Sequence, residues 1–265
     1  WDSATGEALQ LLPLAPPGVA TPGGDHHQLV FDAGGERLAL VTAEPGRASI
    51  TIRQWSLTDG NSAAVMTLPA AHDESSEIAL SPDWRLLAFG REDGTVELWD
   101  TAAGARVAVL PGHQTIVADV DFNPNGSRLV TGSTDRHVLL WDVAGILAGA
   151  PPQPLVSWQT TRPDIETGDL GNVHFIADNL VALGYLGVVE VWDVSGNERP
   201  LSIFRASASL TRDYDADSSL THIAIAGQDG TGRIWDLETG AQSLALARHP
   251  LPVDGVAFSP HDNRV

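Results

Sequence analysis

The dipeptide Trp-Asp recurs along this 265-residue chain at nearly regular intervals. One copy is altered to Trp55-Ser56, and the intact copies are Trp1-Asp2, Trp99-Asp100, Trp141-Asp142, Trp192-Asp193 and Trp235-Asp236. Successive tryptophans of this series lie 54, 44, 42, 51 and 43 residues apart. A period of about forty residues indicates one small unit copied in tandem. Because such units stack on their neighbours, the fold of the whole chain follows from the fold of one unit.

The clearest copy of the unit lies between Gly112 and Asp142. Short runs rich in β-branched and aromatic residues alternate there with turns of Pro, Asn and Gly. Together with the run that precedes this copy, they are Arg106–Leu110, Val117–Phe122, Arg128–Gly132 and Val138–Asp142. They predict four strands per period, joined by tight turns into an antiparallel meander. The chain has 26 Gly and 17 Pro and shows no helical period, so we expect an all-β fold.

This unit resembles the WD40 repeat, and the resemblance covers the whole chain. The matching first strands are Leu29–Asp32, Ile78–Pro82, Val120–Pro124, Val173–Phe175 and Val256–Pro260, with a more polar copy ending at Tyr214. The resemblance implies a WD40-type β-propeller with five complete four-stranded blades and partial blades at both ends. We expect a single propeller domain over residues 1–265, truncated at both ends. We interpret it as a bacterial-type fragment of a longer protein with degenerate repeats, whose natural ring has the seven blades usual in the family.

The resemblance also implies a structural tetrad in each blade. Its members are a His before the first strand, a hydroxyl residue in the second, an Asp in the next turn and the Trp of the third strand. One copy carries all four, as His113, Thr131, Asp135 and Trp141. We expect Asp135 to accept hydrogen bonds from His113 and Thr131, while Trp141 donates through its indole N–H.

Other copies keep only part of the tetrad. The retained residues are His72, Asp93 and Trp99 in one copy and Asp229 and Trp235 in another. Phe89 and Ile225 occupy the hydroxyl position in these copies.

Charge narrows the range of partners. The chain has 34 acidic and 15 basic residues and a formal charge of −19. Such a field repels phosphate backbones, so we expect no nucleic acid partner, and it favours basic protein partners. No run approaches 18 apolar residues, so we expect no membrane association, and with no visible signal peptide we predict a cytoplasmic protein. The sequence leaves the oligomeric state open.

Two residue types that several enzyme motifs require are missing. Cysteine and lysine are both absent, which removes thiol nucleophiles, Walker A lysines and Schiff bases. We therefore expect no catalytic residue, no cofactor and no metal ion. The alternative is a hydrolase or oxidoreductase built on the propeller, with its site in the central channel. Converging His and Asp side chains in a deep channel pocket would favour that alternative.

A weak metal signal lies near the polar first strand. Asp213, Asp215 and Asp217 are spaced like the start of an EF-hand loop, but the Gly and Glu of that loop are lacking. Aligning Tyr214–Ser218 with Phe122–Gly126 makes this segment an ordinary turn between the first two strands, which is the interpretation we favour.

Two lengthened loops, residues 15–27 and 159–170, join successive blades. In the family such loops lie on the face that most often meets partners. We expect the candidate contact residues in the loops between blades and in the turns between the second and third strands. They are His72, Asp73, Arg91, Glu92, Arg136, His137, Arg162, Asp164, Tyr185 and Gln228. Trp84 replaces a turn glycine and is either a partner anchor or a cover between blades, whereas we interpret Trp158 as packing.

A rigid array with variable loops is suited to display. We therefore expect a non-catalytic scaffold for protein–protein interaction. By analogy with the family in bacteria, it is the docking or sensory propeller of a larger signalling or regulatory protein. A structural spacer inside a longer chain is a third interpretation.

Overall fold

The computed structural model describes most of the chain between residues 26 and 258. The described ranges are 26–32, 36–43, 49–58, 62–69, 77–159, 172–196, 200–246, 249–253 and 255–258. No helix within these ranges is long and apolar enough to cross a membrane. The lengthened loops and the partial blade expected before residue 26 lie outside the described residues, apart from the ends of the loops.

The described strands form five consecutive groups of four, in which each strand pairs antiparallel with the next. We call each group a blade and its strands a to d in chain order. Blade 1 contains β1 (His26–Phe31), β2 (Arg37–Ala43), β3 (Ile50–Ser56) and β4 (Ser62–Leu68). Blade 2 contains β5 (Ile78–Leu80), β6 (Leu86–Gly90), β7 (Val96–Asp100) and β8 (Ala105–Leu110). Blade 3 contains β9 (Val117–Phe122), β10 (Arg128–Ser133), β11 (His137–Asp142) and β12 (Pro154–Gln159).

One strand belongs to both of the last two blades. Blade 4 contains β13 (Val173–Ala177), β14 (Leu180–Gly184), β15 (Leu186–Asp193) and the first part of β16 (Ser202–Ala216). Blade 5 contains the second part of β16, β17 (His222–Gly227), β18 (Gly232–Asp236) and β19 (Gln242–Ala245). Because β16 pairs with β15 and then with β17, blades 4 and 5 form one seven-stranded sheet.

Apolar clusters fill the spaces between neighbouring blades. Leu87 and Phe89 belong to the cluster between blades 1 and 2, and Leu98, Leu129 and Trp141 to the one between blades 2 and 3. Similar clusters join blade 3 to blade 4 and blade 4 to blade 5. In blades 2 and 3, strands b and c are buried at nearly every position, because these sheets are covered on both faces. The blades thus stack face to face, as in a propeller.

The strands a of consecutive blades lie side by side. β1 contacts β5, β5 contacts β9, and β9 contacts β13, whereas β4, β8 and β12 contact chiefly strand c of their own sheets. The sheets therefore converge on strands a, which marks the axis side. The b–c turns meet the d–a loops at one end, where Val117 N donates to Arg91 O. The a–b turns meet the c–d turns at the other end, where Thr101 N donates to Arg85 O. We call these the b–c end and the a–b end.

Two local features differ from the sequence expectation. A five-residue helix, α1 (Val143–Leu147), follows strand c of blade 3, and the Asp142 carboxylate accepts from Gly145 N at 2.9 Å to cap it. Such a short helix has too few turns to show a helical period. The segment from Val256 to Phe258 was expected as a strand, but it pairs with no strand in the described part of the chain.

Candidate functional site

Four side chains form a chain of contacts inside blade 3. Trp141 Nε1 donates to Thr131 Oγ1 at 3.1 Å, and the same hydroxyl lies 2.8 Å from His113 Nε2. His113 Nδ1 lies 3.4 Å from Asp135 Oδ2, which is long for a hydrogen bond. A hydroxyl has one proton to donate and two lone pairs, so Thr131 can form hydrogen bonds with the indole and with Nε2 at the same time. The contacts therefore run from Trp141 through Thr131 and His113 to Asp135.

Asp135 is held by backbone groups rather than by the Thr131 hydroxyl, which corrects the expected pairing. Its carboxylate oxygens accept from Gln114 N and His137 N, both at 2.8 Å. Burial opposes ionisation, but these bonds outweigh it and keep the pKa of Asp135 below its ordinary value. Burial lowers the pKa of His113, so its ring is neutral at pH 7. A neutral His thus faces an ionised Asp.

In blades 2 and 4 a buried glutamate takes the place of the missing hydroxyl. Trp99 Nε1 donates to Glu97 Oε2 at 2.8 Å, and Trp192 Nε1 donates to Glu190 Oε2 at 3.2 Å. Glu97 also accepts from Arg106 at 2.9 Å, so its charge is paired. Each glutamate stands two residues before its tryptophan and therefore shares its face of strand c.

The sequence does carry a signal for this arrangement. Val-Glu-Leu-Trp-Asp and Val-Glu-Val-Trp-Asp occur in the two blades that lack the strand b hydroxyl and have the glutamate. Blade 5 has Arg233 at the glutamate position, and the Trp235 indole N–H has no hydrogen-bond partner within the described ranges. Blade 1 has Arg53 there, and the Trp55 indole N–H is likewise without a partner in the described structure.

The aspartates of the partial tetrads form hydrogen bonds within the b–c turns in which they lie. Asp93 accepts from the backbone N–H and the hydroxyl of Thr95, at 3.0 and 2.6 Å. The hydroxyl bond and then the backbone bond lower the pKa of Asp93. Asp229 accepts from the same two groups of Thr231. His72, expected beside Asp93, lies outside the described residues. Both aspartates therefore stabilise b–c turns through local hydrogen bonds.

The described contact candidates lie at or beside the b–c turns. Those with exposed side chains are Glu92, Arg136 and Gln228. His137 and Arg91 are half-buried, and Arg91 lies 3.4 Å from Glu97 in an ion pair. Gln228 also lines an open cavity of about 430 Å³ at the b–c end of blade 5. The candidates outside the described residues are His72, Asp73, Arg162 and Asp164.

Tyr185 is buried, so the prediction that it is a surface contact is wrong. Its side chain is 4% exposed and packs in the cluster between blades 3 and 4. Tyr185 is the first residue of the b–c turn of blade 4, where its N–H donates to Val188 O at 2.8 Å, and its carbonyl accepts the Thr211 hydroxyl at 2.7 Å. This turn residue therefore packs against the neighbouring blade and not against solvent.

Arg136 occupies a backbone position that favours glycine. Its φ is 67°, and the equivalent turn residues of blades 2 and 5 are Gly94 at 83° and Gly230 at 78°. A Cβ atom on Gly94 would meet the His113 carbonyl oxygen, and one on Gly230 would meet the His249 carbonyl oxygen. A residue with a Cβ pays about 1–2 kcal/mol for this conformation. In blade 3 this turn position therefore carries an exposed arginine. In blades 2 and 5 a backbone carbonyl packs against the equivalent glycine.

The two tryptophans outside strand c pack between blades. Trp84 is 5% exposed and lies in the cluster between blades 1 and 2, with the Arg37 guanidinium 4.6 Å from its ring centroid. The structure therefore favours the interpretation of Trp84 as a cover between blades over that of a partner anchor. Trp158 is also buried, with its ring centroid 5.9 Å from that of Trp192. These two rings line a cavity of about 420 Å³ beside β12.

Ionisable side chains also meet where strands a of blades 3 and 4 lie together. His174 Nε2 lies 3.9 Å from Asp119 Oδ2, and its Nδ1 lies 3.8 Å from Asp121 Oδ2. The same carboxylate oxygens accept from the backbone N–H groups of Val173 at 2.6 Å and Phe175 at 2.7 Å. Each aspartate thus contacts both the side chain and the backbone of β13. The contact depends on how the blades pack, and the repeat pattern alone does not reveal it.

Burial is the strongest influence on the ionisation of this cluster. It raises the pKa of Asp119 to about 7. Burial opposes the charge on His174, but Asp119 and Asp121 outweigh it and raise the pKa of His174 to about 10. Tyr214, whose ring centroid lies 5.5 Å from that of His174, has its pKa raised by burial. His174 is therefore a cation at neutral pH. The convergence of His and Asp is the arrangement that the enzyme alternative requires, although both carboxylates already bind backbone N–H groups.

Asp213 and Asp215 lie in a strand, so the alignment that made them turn residues is wrong by two positions. Both belong to β16 and accept backbone N–H groups from the segment that follows blade 5. Asp217 is the turn residue equivalent to Asn123, because each side chain accepts from the backbone N–H five residues later. Among the described residues no group of three His, Asp or Glu is placed to hold a metal ion.

A comparison with known protein families finds a match in the middle of the chain. The family model "WD domain, G-beta repeat" matches residues 104–142, which include strand d of blade 2 and strands a to c of blade 3. The human "WD repeat-containing protein 86" is 50% identical over 40 residues. That match spans 15% of this chain and 11% of the human protein. Residues 104–142 therefore form a repeat of the WD40 type, and because the four other blades repeat its strand order, the array has the β-propeller fold of that family.

Proposed function

We propose that this chain is a non-catalytic platform for protein–protein interaction and that its b–c end contacts the partner. WD40 repeats generally mediate protein–protein interaction. The observation that carries the proposal is Arg136, an exposed arginine held in a left-handed turn where two sister blades have glycine. Arginine is among the residues that most often dominate interface energies. A costly backbone conformation that keeps such a side chain exposed supports a role in recognition.

The charge of the chain supports a basic protein as the partner. A formal charge of −19 attracts basic surfaces over a distance and repels nucleic acids and acidic membranes. Glu92 and Gln228 are exposed at the same end as Arg136, in blades 2 and 5, and carry acceptor oxygens. We further propose that this is one propeller domain, the cytoplasmic docking or sensory part of a larger bacterial signalling or regulatory protein.

The test separates recognition from folding. Replacing Arg136→Gly relieves the strained turn, so we expect the free energy of unfolding to stay level or rise by about 1 kcal/mol. Crosslinking followed by mass spectrometry, in an extract of the source cells, should show that the same variant loses the captured partner. Arg85→Gly is the matched control, because Arg85 is an exposed arginine at the a–b end. Equal capture by wild type and Arg136→Gly, with crosslinks at the a–b end, would contradict the proposal.

The cluster around His174 decides the enzyme alternative. In the proposed function, Asp119 and Asp121 join blades 3 and 4 and His174 neutralises them. His174→Gln should then lower stability without removing any turnover. Hydrolase and oxidoreductase substrate panels, run on the wild type and on this variant, are the measurement. A turnover that disappears in a variant of unchanged stability would favour the enzyme.

A further inference from the structure

The outermost strand of blade 3 is a sheet edge with exposed side chains. β12 is bonded to β11 on one side and to no other strand of the described sheets. Pro154, Leu155, Ser157 and Gln159 of this strand are exposed. Alternate residues of an edge strand turn their backbone N–H and C=O groups away from the sheet, where these groups can pair with another extended chain.

Charged residues usually protect such an edge from strand addition, and β12 has none. By contrast, β8 carries Arg106 and β16 carries Arg205, and both arginines are exposed. β19 has only four residues. The register shift of β12 lies at its start, so the strand pairs regularly with β11 from Val156 to Gln159. This stretch can therefore accept an added strand.

A cavity of about 420 Å³ lies beside this edge, between blades 3 and 4. Val156 and Trp158 line it from β12, and Trp192 and Val194 line it from blade 4. All four belong to the apolar packing between these two blades. The volume falls within the range of ligand-binding clefts, which is about 300–1,000 Å³. A chain added to β12 would therefore have room for one large apolar side chain on the side that faces blade 4.

Trp158 also has an unused hydrogen-bond donor beside the cavity. Its side chain is 6% exposed, and its indole N–H has no hydrogen-bond partner in the described part of the chain. A buried donor without an acceptor is unfavourable. A bound side chain that carries an acceptor oxygen would relieve that cost.

The charge of the chain indicates which residues would flank such a segment. None of the described residues that line the cavity is charged, whereas the chain as a whole has a formal charge of −19. A segment with an apolar centre and basic ends would therefore match both the cavity and the field around it.

We propose that β12 and this cavity form a rim site, which binds an extended segment of a partner protein as an added strand. The segment has a large apolar side chain at its centre, which enters the cavity, and basic residues at its ends. Backbone hydrogen bonds to β12 hold the segment, and the cavity selects the central residue. The rim site is separate from the contact proposed at Arg136 and does not depend on it.

A random library of peptides about ten residues long, selected on the 265-residue chain, supplies the probes. We expect the selected peptides to be rich in β-branched and aromatic residues and to lack proline. Methylating one set of alternate backbone nitrogens should weaken binding at least about 10-fold, because it removes the donors that face β12. Methylating the other set, which faces away, should have little effect. Proline-rich binders, or equal effects of the two methylated sets, would overturn strand addition.

Variants of the chain test whether the peptides bind at β12. Gln159→Arg places a charge on the edge and should weaken binding at least about 5-fold. Thr67→Arg in β4 is the matched control, because Thr67 and Gln159 are both exposed and each pairs with the residue four positions before the strand c tryptophan. The control should stay within about 2-fold of the wild type, since exposed charges contribute little. Equal weakening in both variants, or none in either, would overturn the rim site.

The Arg136→Gly variant separates this site from the b–c end. It should bind the selected peptides as tightly as the wild type, and the indole N–H signal of Trp158 should shift in NMR spectra when they bind. Weaker binding by Arg136→Gly would place the peptides at the b–c end and would overturn the rim site.

Discussion

The hydroxyl of Thr131 lies 2.8 Å from Nε2 of His113 and so connects strand b of blade 3 to the loop before its strand a. Both residues are buried. Because the same oxygen accepts from the Trp141 indole at 3.1 Å, one hydroxyl satisfies polar atoms from two other elements. Its removal leaves both atoms without a partner in an apolar setting, which is costly.

Replacing Thr131→Val keeps the shape of the side chain and removes that oxygen. We expect a loss of about 1–3 kcal/mol for each buried group left unsatisfied. Urea unfolding followed by fluorescence measures it. Thr134→Val is the control, since Thr134 is exposed and its hydroxyl contacts the exposed Thr115. Equal losses in the two variants would show that the buried contacts contribute nothing particular.

Trp141→Ala should be more damaging than the loss of one hydrogen bond. Trp141 is fully buried in the cluster between blades 2 and 3, and truncating such a side chain costs about 3–5 kcal/mol. Thermal unfolding of the purified variant measures the effect. If the variant melts with the wild type, the position of Trp141 inside a blade is wrong.

The buried pairing of Trp99 with Glu97 can be tested by a double-mutant cycle. Glu97→Ala removes the acceptor of the buried indole N–H, so we expect a loss of about 1–3 kcal/mol, while the half-exposed Arg106 is left to water. In a Trp99→Phe background the same change should cost less, because the indole donor is already gone. Additive losses would mean that the two side chains are not coupled.

The His174 pairing predicts a pH dependence at the alkaline side. Asp119 and Asp121 raise the pKa of His174 to about 10 against the burial that opposes it, while the unfolded value is about 6.5. The stability that His174 contributes is thus fully present below about pH 6.5 and is lost as the pH rises through about 10. Urea midpoints of wild type and His174→Gln should differ most near pH 6 and converge near pH 10. A difference that stays constant would refute the ion pair.

Asp217 predicts a pH dependence at the acid side. Although burial opposes ionisation, backbone and side-chain bonds from His222 and Thr221 lower its pKa well below 3.8. Its contribution is present above about pH 4 and is lost as the pH falls further. Asp217→Asn should therefore be less stable than wild type at pH 7, and the difference should shrink toward pH 2. A difference that instead persists unchanged at pH 2 would show that charge is not involved.

The period of Trp-Asp is enough to predict the blades, because each blade is a local meander whose strands and turns are adjacent in sequence. The same locality explains why Asp93 and Asp229 could be placed in b–c turns. Tyr185 could not be predicted as buried, because its burial depends on contacts with the neighbouring blade. The backbone contacts of the aspartates in β9 and β16 could not be predicted either, since their partners lie 54 or 43 residues away along the chain.

The glutamates that accept from the indole N–H groups of strand c could be predicted only in part. Glu97 and Glu190 can be recognised once strand c is known, because a strand places residues two apart on the same face. The family tetrad places the acceptor of the indole N–H in strand b. A search for that tetrad therefore does not find an acceptor in strand c. A degenerate repeat is thus better interpreted by asking where each indole N–H finds an acceptor than by counting matches to a motif.

The fifteen-residue strand β16 has a mechanical consequence for the molecule. Its residues 202–205 pair with strand c of blade 4, and its residues 211–216 pair with strand b of blade 5. The last strand of one blade and the first strand of the next are therefore a single run of chain. A load on the outer edge of blade 4 reaches the axis side of blade 5 along that run.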